Sequence, residues 1–206
     1  MRTILFVLLL VSTIAVPARA QEDLPKRVAD LEKRVAELEK LLEPLKREMV
    51  VRKRREKMQV LARRRMKEDQ KVFNQAQLDS IEQIYQVANR KWNTVEAMDS
   101  LTKLMKEFPK ANRTGCGVLY LAQMSKDDIE KEFLLKKAIK SFNDCWYGDG
   151  VQVGPYARLL LAHHYARKNK AEAAAKLAAE LKTNYPEAID HQGRLLIELL
   201  PKAEAQ

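Results

Sequence analysis

The chain has 206 residues and a formal net charge of +10, long enough for one domain with a sizeable core plus an appendage. The positive charge is not spread evenly: residues 46–71 hold twelve Lys and Arg against four Asp and Glu, which is +8 of the total. General basicity is therefore excluded as a property of the rest of the chain, and any electrostatic partner is expected to dock on that one segment.

Residues 1–20 read as a leader. Arg2 gives a positive start, Ile4 to Val16 is an apolar run short of a membrane span, and Ala18-Arg19-Ala20 has the small-x-small form of a cleavage site. Cleavage near Ala20 leaves a chain starting at Gln21, periplasmic or secreted. An uncleaved anchor is the alternative, and it too places the remainder outside the cytoplasm. No cysteine stands at the cleavage site, which argues against a lipid anchor.

From 21 to 45 the apolar positions are Leu24, Val28, Leu31, Val35, Leu38, Leu42 and Leu45, in alternating steps of four and three. That is a heptad seam with valine at a and leucine at d, the arrangement that favours parallel dimers. Self-association through Val28, Leu31, Val35, Leu38 and Leu42 is expected, dimer favoured. Pro44 lacks an amide hydrogen and is expected to end or kink the coil.

Residues 46–71 contain neither Gly nor Pro, and Met49, Val50, Met58, Leu61, Ala62 and Met66 recur at loose helical spacing. The spacing predicts a basic helical linker that carries Arg52, Lys53, Arg54, Arg55, Arg63, Arg64 and Arg65. After a leader, the ligands that suit such a stripe are anionic lipid headgroups or acidic cell-envelope polymers. Nucleic acid is disfavoured, because no aromatic residue is interleaved to stack on bases. A solvated helix without a ligand is the plain alternative.

Residues 72–206 contain helical hairpins. In Tyr156–Ala188, Leu161, Ala162 and Tyr165 form one stripe, the turn Lys168-Asn169-Lys170 follows, and Ala174, Leu177, Ala178 and Leu181 form a second. Tyr185-Pro186 stops the second helix. An earlier copy ends at Phe108-Pro109-Lys110-Ala111, matching Tyr185-Pro186-Glu187-Ala188. Asn112–Met124 opens a middle hairpin, whose second helix begins near Asp127 with a stripe of Ile129, Phe133, Leu134, Ala138, Ile139 and Phe142. That helix runs into Asn143–Gly150, so the middle unit is expected to break the period. A last helix, Gln192–Leu200, is expected to cap the array. The fold class is all-α: a coiled coil and long basic helix, then a short solenoid of three repeats with a capping helix.

The hairpin resembles the tetratricopeptide repeat. Leu161, Ala162, Tyr165, Ala174 and Pro186 fall at that family's Leu, Gly/Ala, Tyr, Ala and Pro positions, while Ala178 replaces its second-helix aromatic. The resemblance implies a scaffold that binds other proteins, with first helices lining a concave groove. It carries partner contacts onto Arg113, Tyr120 and Gln123 of the middle repeat and Tyr156, His163 and Arg167 of the third. Tyrosines and arginines there suit protein segments bearing carboxylates. The order of leader, short coiled coil and repeat domain is similar in layout to the periplasmic cell-division coordinators of the Tol-Pal system.

No enzyme, metal or cofactor is expected. The adjacent His163 and His164 point about 100° apart on a helix and cannot share one metal as an i, i+4 pair does. Gly148-Asp149-Gly150 lacks the oxygen spacing of a calcium loop, and Gly150–Gly154 is not followed by the Gly-Lys of a phosphate loop. Asp149 and Asp190-His191 sit on loops expected along one solenoid edge, and a cell-wall-acting enzyme built on them is the less favoured reading. Cys116 and Cys145 are an even pair in an oxidising compartment. Either they form a disulfide or both are buried thiols.

Overall fold

The computed structural model describes residues 18–201, with side chains from Leu24 onward; the expected leader lies almost wholly outside that range. All the regular structure described is helical, and no helix among the described residues is long and apolar enough to cross a membrane. The chain divides into two units, residues 1–48 and 49–206. Helix α1, Ala18–Val72, belongs to both and runs unbroken past Pro25 and Pro44. The helix does not end at Pro44, which removes the stop from the two expected outcomes. Strong helix formers on both sides outweigh the one backbone bond a proline removes.

In the first unit nothing among the described residues covers the heptad seam. Its seven residues from Leu24 to Leu45 are 46 to 60 % exposed.

The second unit holds six further helices: α2 (Gln75–Arg90), α3 (Val95–Glu107), α4 (Asn112–Met124), α5 (Asp128–Ser141), α6 (Val153–Arg167) and α7 (Ala171–Asn184). Local signals set their starts. Asn74 and Gln77 form a reciprocal capping box on α2, Thr94 caps α3, and Asp127 accepts from the amides of Ile129 and Glu130 to cap α5. The helices pack as three antiparallel pairs in sequence. Among the first helices α4 touches both α2 and α6, while α3 and α5 touch only first helices and α7 touches α6 and the C-terminal 3-10 turn. The closer row is the inner one, so the array curves around α2, α4 and α6 as a short solenoid. Ile81, Ile84, Ala88, Leu101, Leu104, Leu119, Leu135, Leu161 and Ala174 are buried between the pairs.

The periodicity is more regular than the sequence suggests. Phe108, Phe142 and Tyr185 each cap the C-terminus of a second helix, and each carbonyl then accepts, at 3.1 Å, the amide of a small residue three positions on: Ala111, Cys145 and Ala188. Cys145 therefore holds the alanine place of the missing aromatic-Pro-x-Ala, and the middle ending keeps register 34 residues after Phe108. The break expected in Asn143–Gly150 is present, but it begins only after Cys145. What lengthens the next step is an inserted seven-residue loop, Trp146–Gln152, closed by an isolated antiparallel bridge.

That loop recurs 43 residues later. Ile189–Leu195 is bridged in the same way, with matching bonds from Tyr147 and Asp190 to Val151 and Arg194 (2.8 and 3.0 Å) and from Val153 and Leu196 to Cys145 and Ala188 (2.8 and 2.9 Å). Both place a glycine at positive φ, Gly150 at +96° and Gly193 at +80°. The second copy consumes the residues expected to start the capping helix. Only a 3-10 turn, Leu196–Leu199, remains before Pro201; Leu196 is fully buried there and covers Leu159 and Leu181.

Residues 49–72 of α1 are no linker. Met58, Ala62 and Asp69 are buried, on the helix face that meets the two bridged loops. A Cβ added at Gly150 would lie 2.8 Å from Met58 Cβ, and one at Gly193 would lie 2.7 Å from Val51. The loops and α1 therefore approach as closely as glycine allows. Of the stripe expected in α5, Leu134, Ala138 and Phe142 are buried, joined by Leu135, whereas Ile129 and Phe133 are 83 % and 61 % exposed.

Candidate functional site

The inner face carries a continuous run of rings. Tyr120 of α4 stacks on Tyr85 of α2 (5.5 Å between centroids), meets Trp92 edge-on (5.0 Å) and leans on Tyr147 of the first bridged loop (5.5 Å). His191 of the second bridged loop then stands edge-on between Tyr147 (5.0 Å) and Tyr156 of α6 (5.3 Å). Such arrangements suit the ring quadrupoles and fix each ring by its neighbours. Tyr85 and Tyr147 are buried, with the Tyr147 hydroxyl donating to the Cys116 carbonyl at 3.1 Å. Burial pushes both phenols well above their ordinary pKa, so they stay neutral. Trp92 (46 % exposed) opens one end of the run and half-buried Tyr156 closes the other, with half-buried Tyr120 and exposed His191 between them.

An ion pair and a histidine–carboxylate hydrogen bond flank the rings. Arg113 donates to Glu82 from Nε (2.8 Å) and Nη2 (3.2 Å) while its guanidinium lies 4.5 Å over the Tyr85 ring. His191 Nδ1 donates to Asp149 Oδ2 at 2.8 Å. Burial works against the charge on Asp149, but the hydrogen bond and charge of His191 outweigh it and hold the carboxyl below its ordinary pKa. The loops thus bring Asp149 and His191 together. Asp190 takes a different part: its Oδ1 accepts the amides of Gln192 and Arg194, closing its own loop.

The sequence-derived groove residues fare unequally. Tyr120 and Tyr156 belong to the ring run, and Gln123 is half-buried on α4 with its Nε2 buried and unpartnered. Arg167 is exposed at the end of α6. Arg113 is committed to Glu82 and so is not a free receptor for carboxylates, which corrects that expectation. His163 turns to the C-terminal cap, its Nε2 2.8 Å from the Leu199 carbonyl oxygen. His164 is buried, with Asp128 and Glu132 each 3.8 Å away, and desolvation keeps its pKa low. Trp92 and Tyr147 were not singled out. Both sit in loops, where helical periodicity gives no signal.

The seven basic residues of α1 expected to meet an anionic surface also divide. Arg54 Nη1 donates to the Gly193 carbonyl at 3.1 Å, and Arg55 Nη2 donates to the His191 carbonyl. Arg65 donates to Asp69 (2.6 Å), Asp144 (3.2 Å) and the Lys110 carbonyl. These three hold the loops and are withdrawn as surface receptors. Arg52 pairs with Glu56 in solvent, and Lys53, Arg63 and Arg64 point outward.

Cys116 and Cys145 are separate buried thiols. Cys116 Sγ donates to the Trp146 carbonyl at 3.4 Å, and burial raises the pKa of Cys145 to about 12, so neither is a ready thiolate. Comparison with family models, with curated proteins and with solved structures gives no match to this chain.

Proposed function

We propose that this protein is an exported, non-enzymatic scaffold that holds a segment of another protein along the inner face of α2, α4 and α6 and self-associates through residues 24–45. The observation that carries this reading is the ring run from Trp92 through Tyr120 to Tyr156 and His191. Rings held by one another lose little conformational freedom on binding, and half-buried aromatics supply most of the affinity at protein surfaces. The polar groups on the same face are already partnered at Arg113–Glu82 and His191–Asp149. The ligand is therefore recognised chiefly by shape and aromatic contact, with Arg167 supplying an open charge at one end.

Replacing exposed groove residues that bear little packing tests this. The pair Trp92→Ala and Arg167→Glu is expected to weaken capture of the partner about tenfold or more while leaving the unfolding midpoint within a few degrees. Capture unchanged by that pair, and by Tyr156→Ala added to it, removes the groove as the site.

A second reading rests on Lys53, Arg63 and Arg64, which stay exposed on α1. In that reading the helix docks on anionic lipid or an acidic envelope polymer. It requires binding that falls steeply with salt.

A further inference from the structure

We propose that the seam from Leu24 to Leu45 is closed by a second copy of this chain lying parallel and in register, with Arg27 and Arg34 of each copy facing Glu32 and Glu39 of the other. This rests on the self-association just proposed and adds its orientation and the residues that set it. With Val28, Val35 and Leu42 at a and the leucines at d, Arg27 and Arg34 fall at g, and Glu32 and Glu39 at e. In a parallel, in-register pair each g residue meets the e residue five positions on in the partner helix. Both crossings are then Arg against Glu. An antiparallel pair sets g against g and e against e, which opposes arginine to arginine and glutamate to glutamate.

Two features of the isolated chain fit this. Glu32, Arg34 and Glu39 make no ion pair among the described residues. The third crossing pairs Leu41, 72 % exposed, with Lys46, whose methylene stem can cover it while the ammonium stays in water. The apolar stripe therefore widens where the charges end. A second copy satisfies all of these at once, and the Val-a, Leu-d core selects two strands over three.

The experiment uses residues 21–206. Leu31→Cys, mildly oxidised, is expected to give a covalent dimer, while the parent chain, whose two cysteines are buried, gives none. Antiparallel packing would set each d position opposite an a position, 31 facing 35, so that the covalent product forms only when Leu31→Cys and Val35→Cys chains are mixed. Independently, Arg27→Glu with Arg34→Glu is expected to raise the dimer dissociation constant roughly tenfold or more. Mixing that variant with Glu32→Arg plus Glu39→Arg is expected to restore association as a heterodimer. A monomer by sedimentation, a product confined to the mixed chains, or association untouched by the g-position variant overturns the proposal. If such a protein still captures its partner through the groove, the functional reading survives and the pairing alone fails.

Discussion

Replacing Gly150 by alanine is expected to destabilise the second unit by about 3 kcal/mol, lowering its melting temperature by roughly 6 to 12 °C. Two costs add. The backbone there has φ +96°, which strains any residue with a Cβ. The new Cβ would also stand 2.8 Å from Met58 Cβ and 3.1 Å from the Gln59 backbone nitrogen, atoms that cannot rotate away. Gly148→Ala is the control two residues earlier: its φ is not in the left-handed region, and its Cβ would meet only Met66 Cε at 3.7 Å. Chemical denaturation of both variants checks the claim. Equal, small effects would mean that α1 is not seated on the first bridged loop.

Asp69→Ala is expected to cost about as much, near 3 kcal/mol, for an electrostatic reason. The carboxylate is buried, accepting from Arg65 at 2.6 Å through one oxygen and from the Asn112 amide at 2.8 Å through the other. Helix α4 has no capping side chain of its own, so Asp69 caps it from α1, where a negative charge also suits the helix dipole. Removing it orphans an amide at the start of α4 and leaves a mostly buried guanidinium with Asp144 and the Lys110 carbonyl alone, and breaking such a pair is costly. Asp69→Asn keeps an acceptor for the Asn112 amide and is expected to lie between wild type and Asp69→Ala. A loss below about 1 kcal/mol for the alanine variant, measured by urea unfolding, would contradict this account of the junction.

The helix pairs were legible because each buries a stripe with spacing that only a helix satisfies, as Leu161, Ala162 and Tyr165 do against Ala174 and Leu181. Second-helix ends were legible at Phe108 and Tyr185 because proline follows both. The ending at Phe142 was obscured because Asn143 takes proline's place and Cys145 takes alanine's, though the backbone bonds are the same. The role of α1 was hidden by its charge. Its buried face includes Arg55, Arg65 and Asp69, which read as solvent-facing until their partners on distant loops are in place. Ile129 and Phe133 misled in the opposite direction, since apolar residues at helical spacing need not face inward. Of the six rings in the run, Tyr120 and Tyr156 were visible as groove residues. Trp92 and Tyr147 were not, because loop residues gain their place from tertiary contacts alone.

The most direct test of the central claim is capture of the partner by residues 21–206 and by residues 49–206 side by side, from envelope extract, at low and moderate salt. The cut belongs at 48/49, the division between the two units; a cut after Lys71 would remove the buried Met58, Ala62 and Asp69 and unfold the groove it was meant to isolate. The account predicts that both forms recover the same protein at both salts, the longer one with higher avidity. Recovery by neither form at moderate salt, with binding at low salt abolished by Lys53→Glu, Arg63→Glu and Arg64→Glu, would contradict it and make the outer face of α1 the functional surface.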